Sequence, residues 1–283
     1  MEQRKFGPLK RHVPVIGQGT WMIEGDPPER TIATLRAGLD LGMTHIDTAE
    51  LYGSGRAEEL ISRAIDGRRD GVFLVSKVLP DNASTQGTIA ACENSLARLK
   101  TDRLDCYLLH WPGRHPIADT IEGFERLKRD GKILSWGVSN FDTDELDAIV
   151  AIAGEGAMAC NQVFYHLGER AIEHAVIPWC ERHGVAVVAY SPFGQFKNAF
   201  PAPGGAGGKV LRKIAGTHDA TSRQVALAFL TRRKSVFTIP KASDPNHMAD
   251  NAAAGDLTLT ADEIAAIEKV FPLGRARRSV PMI

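Results

Sequence analysis

Four residues in the first 110 positions carry the means to move a proton at an oxygen atom: Asp47, Tyr52, Lys77 and His110. A phenol ionises only near pH ~10 and is a poor acid at neutrality. A neighbouring ammonium favours the phenolate, so Lys77 is expected to lower the pKa of Tyr52. A buried ammonium is costly without a counter-charge, and Asp47 would supply it. His110 could then donate a hydrogen bond to a carbonyl oxygen and turn it toward the phenol. Together these groups form a constellation for proton transfer at a carbonyl oxygen.

Elements must exist that bring the four together. Asp47, Lys77 and His110 each end an apolar run, and Tyr52 follows Asp47 by five residues in a loop. Strands are expected at residues 44–47, 72–77, 105–110, 133–139, 157–162, 185–190 and 236–239, with a last short one at 257–259. Helical patterns fall at 29–41, 57–65, 87–99, 117–129, 143–153, 172–182, 223–232 and 261–270, and Gly131 and Gly184 read as C-terminal stops. The strands are apolar nearly throughout, which suits a parallel sheet buried on both faces. About eight such units in 283 residues predict a single-domain (β/α)8 TIM barrel spanning residues 1–283, opened by a short hairpin-like segment. In that fold, chemistry gathers at the C-terminal ends of the strands. The first three strands would then project Asp47, Lys77 and His110 into one space. The glycine- and proline-rich residues 193–208 are too long for a tight turn and read as a functional loop.

Composition narrows the partners. Thirty-four basic residues balance 34 acidic ones, which argues against a broad nucleic-acid footprint. No apolar run reaches the roughly 18 residues of a membrane span, and the N-terminus has no apolar signal core. Cys92, Cys106, Cys160 and Cys180 show no CxxC or metal-ligand spacing, and no histidine pair suggests a metal site. A cytoplasmic monomer with reduced thiols is expected. Gly17-Gln18-Gly19-Thr20 lacks the third glycine and the strand-to-helix context of a Rossmann fingerprint.

At this point the chain resembles the aldo-keto reductase family, and in particular its bacterial members that reduce small aldehydes such as methylglyoxal. The resemblance runs through seven motifs in order: HIDTAELYGSGRAEE at 45–59, VSK at 75–77, LLHWP at 108–112, WGVSNF at 136–141, NQVFY at 161–165, AYSPFG at 189–194 and IPKAS at 239–243. It implies NADP(H) bound across the barrel mouth and a small carbonyl substrate. Asp47, Tyr52, Lys77 and His110 match the catalytic tetrad. Ser139, Asn140 and Gln162 match residues that hold the nicotinamide carboxamide, and Tyr190 the ring that stacks on it. Ser191, Pro192 and Phe193 match the pyrophosphate lining, and the 193–208 loop a cofactor-covering segment. Ile239, Lys241, Ala242 and Ser243 match the region of the adenosine 2′-phosphate, with Asn251 near the adenine. Gly19 and Thr20 match a backbone cofactor contact, while Trp21 and Trp111 match substrate-pocket walls beside Tyr52 and His110.

One position departs from the pattern. His247 stands where the family often carries an arginine, so the grip on a 2′-phosphate is expected to be weaker. The segment after His110 and the chain beyond Phe271 are both short, which predicts a shallow pocket for small or aromatic aldehydes. Two other classes fit parts of the pattern. A non-catalytic NADP(H)-binding redox sensor would not need the tetrad, and an aldolase would use Lys77 as a Schiff-base amine.

Overall fold

A computed structural model describes residues 1–195 and 199–283. The chain opens with an antiparallel hairpin, β1 (Gln3–Lys5) and β2 (His12–Pro14). Eight parallel strands follow: β3 (Gln18–Gly19), β4 (His45–Asp47), β5 (Phe73–Val78), β6 (Cys106–Leu109), β7 (Trp136–Ser139), β8 (Cys160–Phe164), β9 (Ala186–Tyr190) and β10 (Val236–Thr238). They lie side by side in sequence order. Hydrogen bonds from Gly17 to the Thr238 carbonyl (2.8 Å), Thr238 to Val15 (3.0 Å) and Gly19 to Pro240 (3.1 Å) join the last strand to the first. The sheet closes, and the fold is the expected (β/α)8 barrel with its N-terminal hairpin.

Among the described residues ten helices cover the outside: α1 (Pro28–Asp40), α2 (Arg56–Ala64), α3 (Thr85–Leu99), α4 (Ile117–Arg129), α5 (Thr143–Ala153), α6 (Val176–His183), α7 (Ala206–Thr217), α8 (Ser222–Leu230), α9 (Pro245–Ala253) and α10 (Ala261–Val270). The boundaries of α4, α5 and α10 are those the sequence predicts. Local chemistry sets two of them, because Asp142 with Glu145 and Thr260 with Glu263 form reciprocal capping boxes. Gly184 closes α6 in the left-handed conformation, as expected of a C-terminal glycine.

Three expectations need correction. The first barrel strand is β3, so Asp47, Lys77 and His110 sit on or just after strands two, three and four. β3 lacks the apolar run that marks its neighbours, because Gly19 within it and Gly17 just before it form the seam. A Cβ on Gly19 would lie 2.4 Å from the Ile239 carbonyl oxygen, and one on Gly17 would meet the His45 ring at 2.9 Å. Residues 257–259 form no strand. Leu257 and Leu259 are half-buried against the layer between strands and helices, and the eight barrel positions are filled without them. The expected helix at 172–182 splits into a 3-10 turn, Ala171–Glu173, and α6.

The core has two layers. Between strands and helices lies the larger one, which includes Ile46, Leu74, Val138 and Phe229. The barrel interior holds Phe73, Val75, Leu108, Val188 and Phe237, and Phe6 from the hairpin plugs its N-terminal end. The Phe6 ring centroid is 4.9 Å from Phe73 and 5.0 Å from Phe237. All four cysteines are buried and unpaired. No helix among the described residues is long and apolar enough to cross a membrane.

Candidate active site

Beyond this packed floor, at the C-terminal ends of the strands, lies a cavity of about 620 Å³. Its size falls within the usual range for a small-molecule site. At its base β4 presents Asp47 and β5 presents Lys77, both essentially without solvent contact. The Lys77 Nζ donates to Asp47 Oδ1 (2.5 Å), to the Thr48 carbonyl (2.7 Å) and to the Tyr52 hydroxyl (3.3 Å). The turn after β4 folds back over the mouth to place Tyr52, and two consecutive left-handed residues, Gly53 and Ser54, make that reversal. His110, following β6, packs edge-on to Tyr52 with ring centroids 5.8 Å apart. The four predicted catalytic residues are therefore together.

Burial governs the electrostatics of this cluster. For Lys77, burial disfavours the ammonium, but Asp47 and Tyr52 outweigh it and its pKa rises. The lysine stays charged. Tyr52 departs from expectation: burial raises the phenol pKa by more than Lys77 lowers it, and Asp47 adds to the rise. The pair therefore does not create an acidic phenol at rest. It places a cation 3.3 Å from the phenol oxygen. Burial also pushes the His110 imidazole down to about 2, helped by the Lys77 charge, so His110 is neutral at working pH. Its Nδ1 is buried and has no hydrogen-bond partner among the described residues.

Polar neighbours lock the cluster. Gln162 Nε2 donates to Asp47 Oδ2 (2.6 Å), so both carboxylate oxygens are engaged. Thr20 Oγ1 donates to the Asp47 carbonyl (2.7 Å). Asn140 spends its two amide hydrogens on the His110 carbonyl (3.2 Å) and Ser139 Oγ (3.1 Å), and its Oδ1 accepts from the Tyr190 hydroxyl (2.8 Å). Asn140 and Ser191 both adopt left-handed backbone, with φ 65° and φ 50°. Such strain is common where a strand end must turn sharply at a functional site.

Gly19, Thr20, Trp21, Trp111, Ser139, Asn140, Gln162, Tyr190, Ser191, Pro192, Phe193, Ile239 and Lys241 all line the cavity, as do Asp47, Tyr52 and His110. Ala242, Ser243, His247 and Asn251 lie outside its wall. Asn251 is buried and His247 exposed, both on α9. Of the 193–208 segment, residues 196–198 lie outside the described residues, and its end is helical because α7 begins at Ala206. Lys77 is fully buried and does not line the cavity, a poor setting for a Schiff-base amine. Gly194 and Gln195, from the predicted loop, also line it, and the sequence reading missed Met22, Leu51, Met282 and Ile283, which complete the wall. The short chain end nevertheless reaches the site, so the pocket is walled on a side expected to be open. Among the described residues no group of three or more His, Cys, Asp or Glu side chains is placed to hold a metal ion.

Fold and cluster together define a barrel oxidoreductase. Residues 15–271 match the aldo/keto reductase family. Methylglyoxal reductase YeaE of Escherichia coli is 42% identical over 96% of this chain and 95% of its own length. Glyoxal reductase of Bacillus subtilis is 31% identical over 95% of this chain and 92% of its own. An aldo/keto reductase from Klebsiella pneumoniae, solved in complex with NADP and acetate, superposes with a TM-score of 0.92 at 42% identity and 99% coverage of both chains. One from the same organism in complex with NADPH gives 0.91 at 41%, with both chains fully covered. The chain belongs to the aldo/keto reductase family.

Proposed function

We propose that this protein reduces small aldehydes and ketones to alcohols, with NADPH as hydride donor and Tyr52 as proton donor. The observation that carries the reading is a fully buried ammonium held 2.5 Å from Asp47 and 3.3 Å from a phenol that faces the cavity. The surrounding wall suits a nicotinamide dinucleotide. It offers the Tyr190 ring for stacking, the Ser139, Asn140 and Gln162 side chains for an amide, and Lys241 as a cation for phosphate. The Klebsiella relatives support the cofactor, and the names of the two bacterial reductases support a 2-oxoaldehyde substrate.

When bound, NADPH supplies the hydride that the carbonyl carbon receives. Tyr52 gives its proton to the carbonyl oxygen, which becomes the alcohol. The phenolate left behind is stabilised by the Lys77 ammonium, itself held in place by Asp47 and, through Asp47, by Gln162. His110 is neutral and presents one ring N–H to the carbonyl oxygen, fixing its approach to Tyr52. Because the Tyr52 hydroxyl accepts from Lys77, its own proton is left for the substrate.

Replacing Tyr52 by Phe removes the proton without changing the shape of the wall. The Tyr52→Phe variant should lose about 10³-fold in kcat with methylglyoxal. Its NADPH affinity, followed by quenching of intrinsic fluorescence, should stay within about twofold. Undiminished turnover in this variant excludes Tyr52 as the acid.

A further inference from the structure

The loop between β3 and α1 ends in an acid whose partners are the residues assigned above to phosphate. Asp26 Oδ2 accepts from Ser243 Oγ at 2.6 Å and from Lys241 Nζ at 2.9 Å. In the first turn of α1, Arg30 donates to Asp244 Oδ2 at 2.6 Å. Two ion pairs of opposite polarity thus tie this loop to the segment that leads into α9. The Ser243 hydrogen bond, with Lys241 behind it, holds the Asp26 carboxyl below the ordinary carboxylate range, so it is an anion at working pH. An anion therefore already sits on the cation and hydroxyl that would receive a 2′-phosphate.

We infer that Asp26 is a specificity-determining residue that competes with the 2′-phosphate of the dinucleotide and thereby narrows the preference for NADPH over NADH. This rests on the reading that Lys241 and Ser243 receive that phosphate. The single Ser243 O–H can serve a phosphate only when Asp26 gives it up, and Lys241, though it keeps two further N–H donors, meets the phosphate with its charge already paired to Asp26. A dianion arriving there also meets the displaced carboxylate as a like charge. A dinucleotide ending in a 2′-hydroxyl makes no such demand and leaves the ion pair intact. Trp21 and Met22 lie on the same loop and line the carbonyl cavity, so exchange at Asp26 also touches the segment that shapes the substrate wall.

The test is binding, measured by calorimetry on the full chain. Probes are NADP+ against NAD+, and adenosine 2′,5′-bisphosphate against adenosine 5′-monophosphate. Asp26→Asn keeps the shape and a hydrogen bond while removing the charge. It should tighten NADP+ and the bisphosphate about tenfold, a change of about 1.4 kcal/mol, and leave NAD+ and the monophosphate within twofold. Lys241→Met tests the premise separately by abolishing the preference for the 2′-phosphorylated probe of each pair. Weaker or unchanged NADP+ binding in Asp26→Asn, with preference lost in Lys241→Met, overturns the competition and keeps the phosphate site. Preference retained in Lys241→Met overturns the phosphate assignment, and the role of Asp26 falls with it.

Discussion

Tyr52 and His110 are ordinary titrating residues whose surroundings take them out of the physiological range. Burial holds the Tyr52 phenol above its usual value, and burial with the Lys77 charge holds His110 down at about 2. The sign of each shift fixes a pH profile. In the proposed mechanism Tyr52 acts as an acid only while protonated, so activity should be lost as pH rises through its raised pKa, which lies above the usual ~10 of a phenol. His110 stays neutral until pH falls near 2, so its titration contributes no limb near 6.5. Reductive kcat with saturating NADPH and aldehyde should therefore be flat from pH 6 to 9. A limb with an apparent pKa near 6.5 would show that His110 titrates in the working enzyme. The four residue types and their order were legible in the sequence. Their balance was not: Lys77 was expected to make Tyr52 more acidic, and burial reverses the net direction. Desolvation depends on every neighbour that excludes water, most of them distant in sequence.

At the scale of elements, the helices were the more readable part, although α7 and α9 have no counterpart in the sequence reading. Caps and stop residues act within a few positions, so Gly184 marks a helix end in the sequence as it does in the structure, and the predicted starts of α5 and α10 fall directly after the capping residues Asp142 and Thr260. β3 was the unreadable one. It has two residues, and the seam demands Gly19, where a side chain would strike the Ile239 carbonyl. That demand is testable. Gly19→Ala should cost about 2–3 kcal/mol, because the backbone cannot withdraw without opening the barrel. Gly216→Ala on α7 is the control, since its added methyl meets nothing within 4 Å and sits on a helix. It should leave stability unchanged or raised by up to about 1 kcal/mol. Urea unfolding of the two variants separates the cases, and equal midpoints would mean that the seam relaxes.

At the scale of the whole molecule, the rim of the cavity is built by segments that meet only in the closed barrel. Five of the eight exposed large hydrophobic side chains among the described residues line it: Trp21, Met22, Leu51, Met282 and Ile283. The chain end is guided there by its anchors, since Arg170 donates to the Phe271 carbonyl (2.6 Å) and the His174 ring lies 3.2 Å from that of Gly274. An apolar rim above a polar base favours carbonyls with an apolar substituent. At about 25 cal/mol per Å² of area buried, part of a phenyl ring covered by this rim is worth about tenfold in affinity. Phenylglyoxal should therefore exceed methylglyoxal in kcat/KM by about tenfold, chiefly through a lower KM. Replacing Met282 by Ser should shrink that ratio, and an unchanged ratio would place the aromatic group elsewhere.

By itself the sequence pointed to the barrel and to the four acid–base residues that the structure brings together, and the family resemblance named most of the residues that line the cavity. Apolar runs, helix caps and acid–base residue types express local preferences that need no knowledge of distant partners. Only the tertiary structure decided which strand closes the ring, which way the phenol shifts, that Gln162 braces Asp47, and that Asp26 sits on Lys241 and Ser243. Each of these is a contact between residues 115 or more positions apart in the chain, or a desolvation summed over many such neighbours. Such contacts leave no period or spacing in the residues that make them.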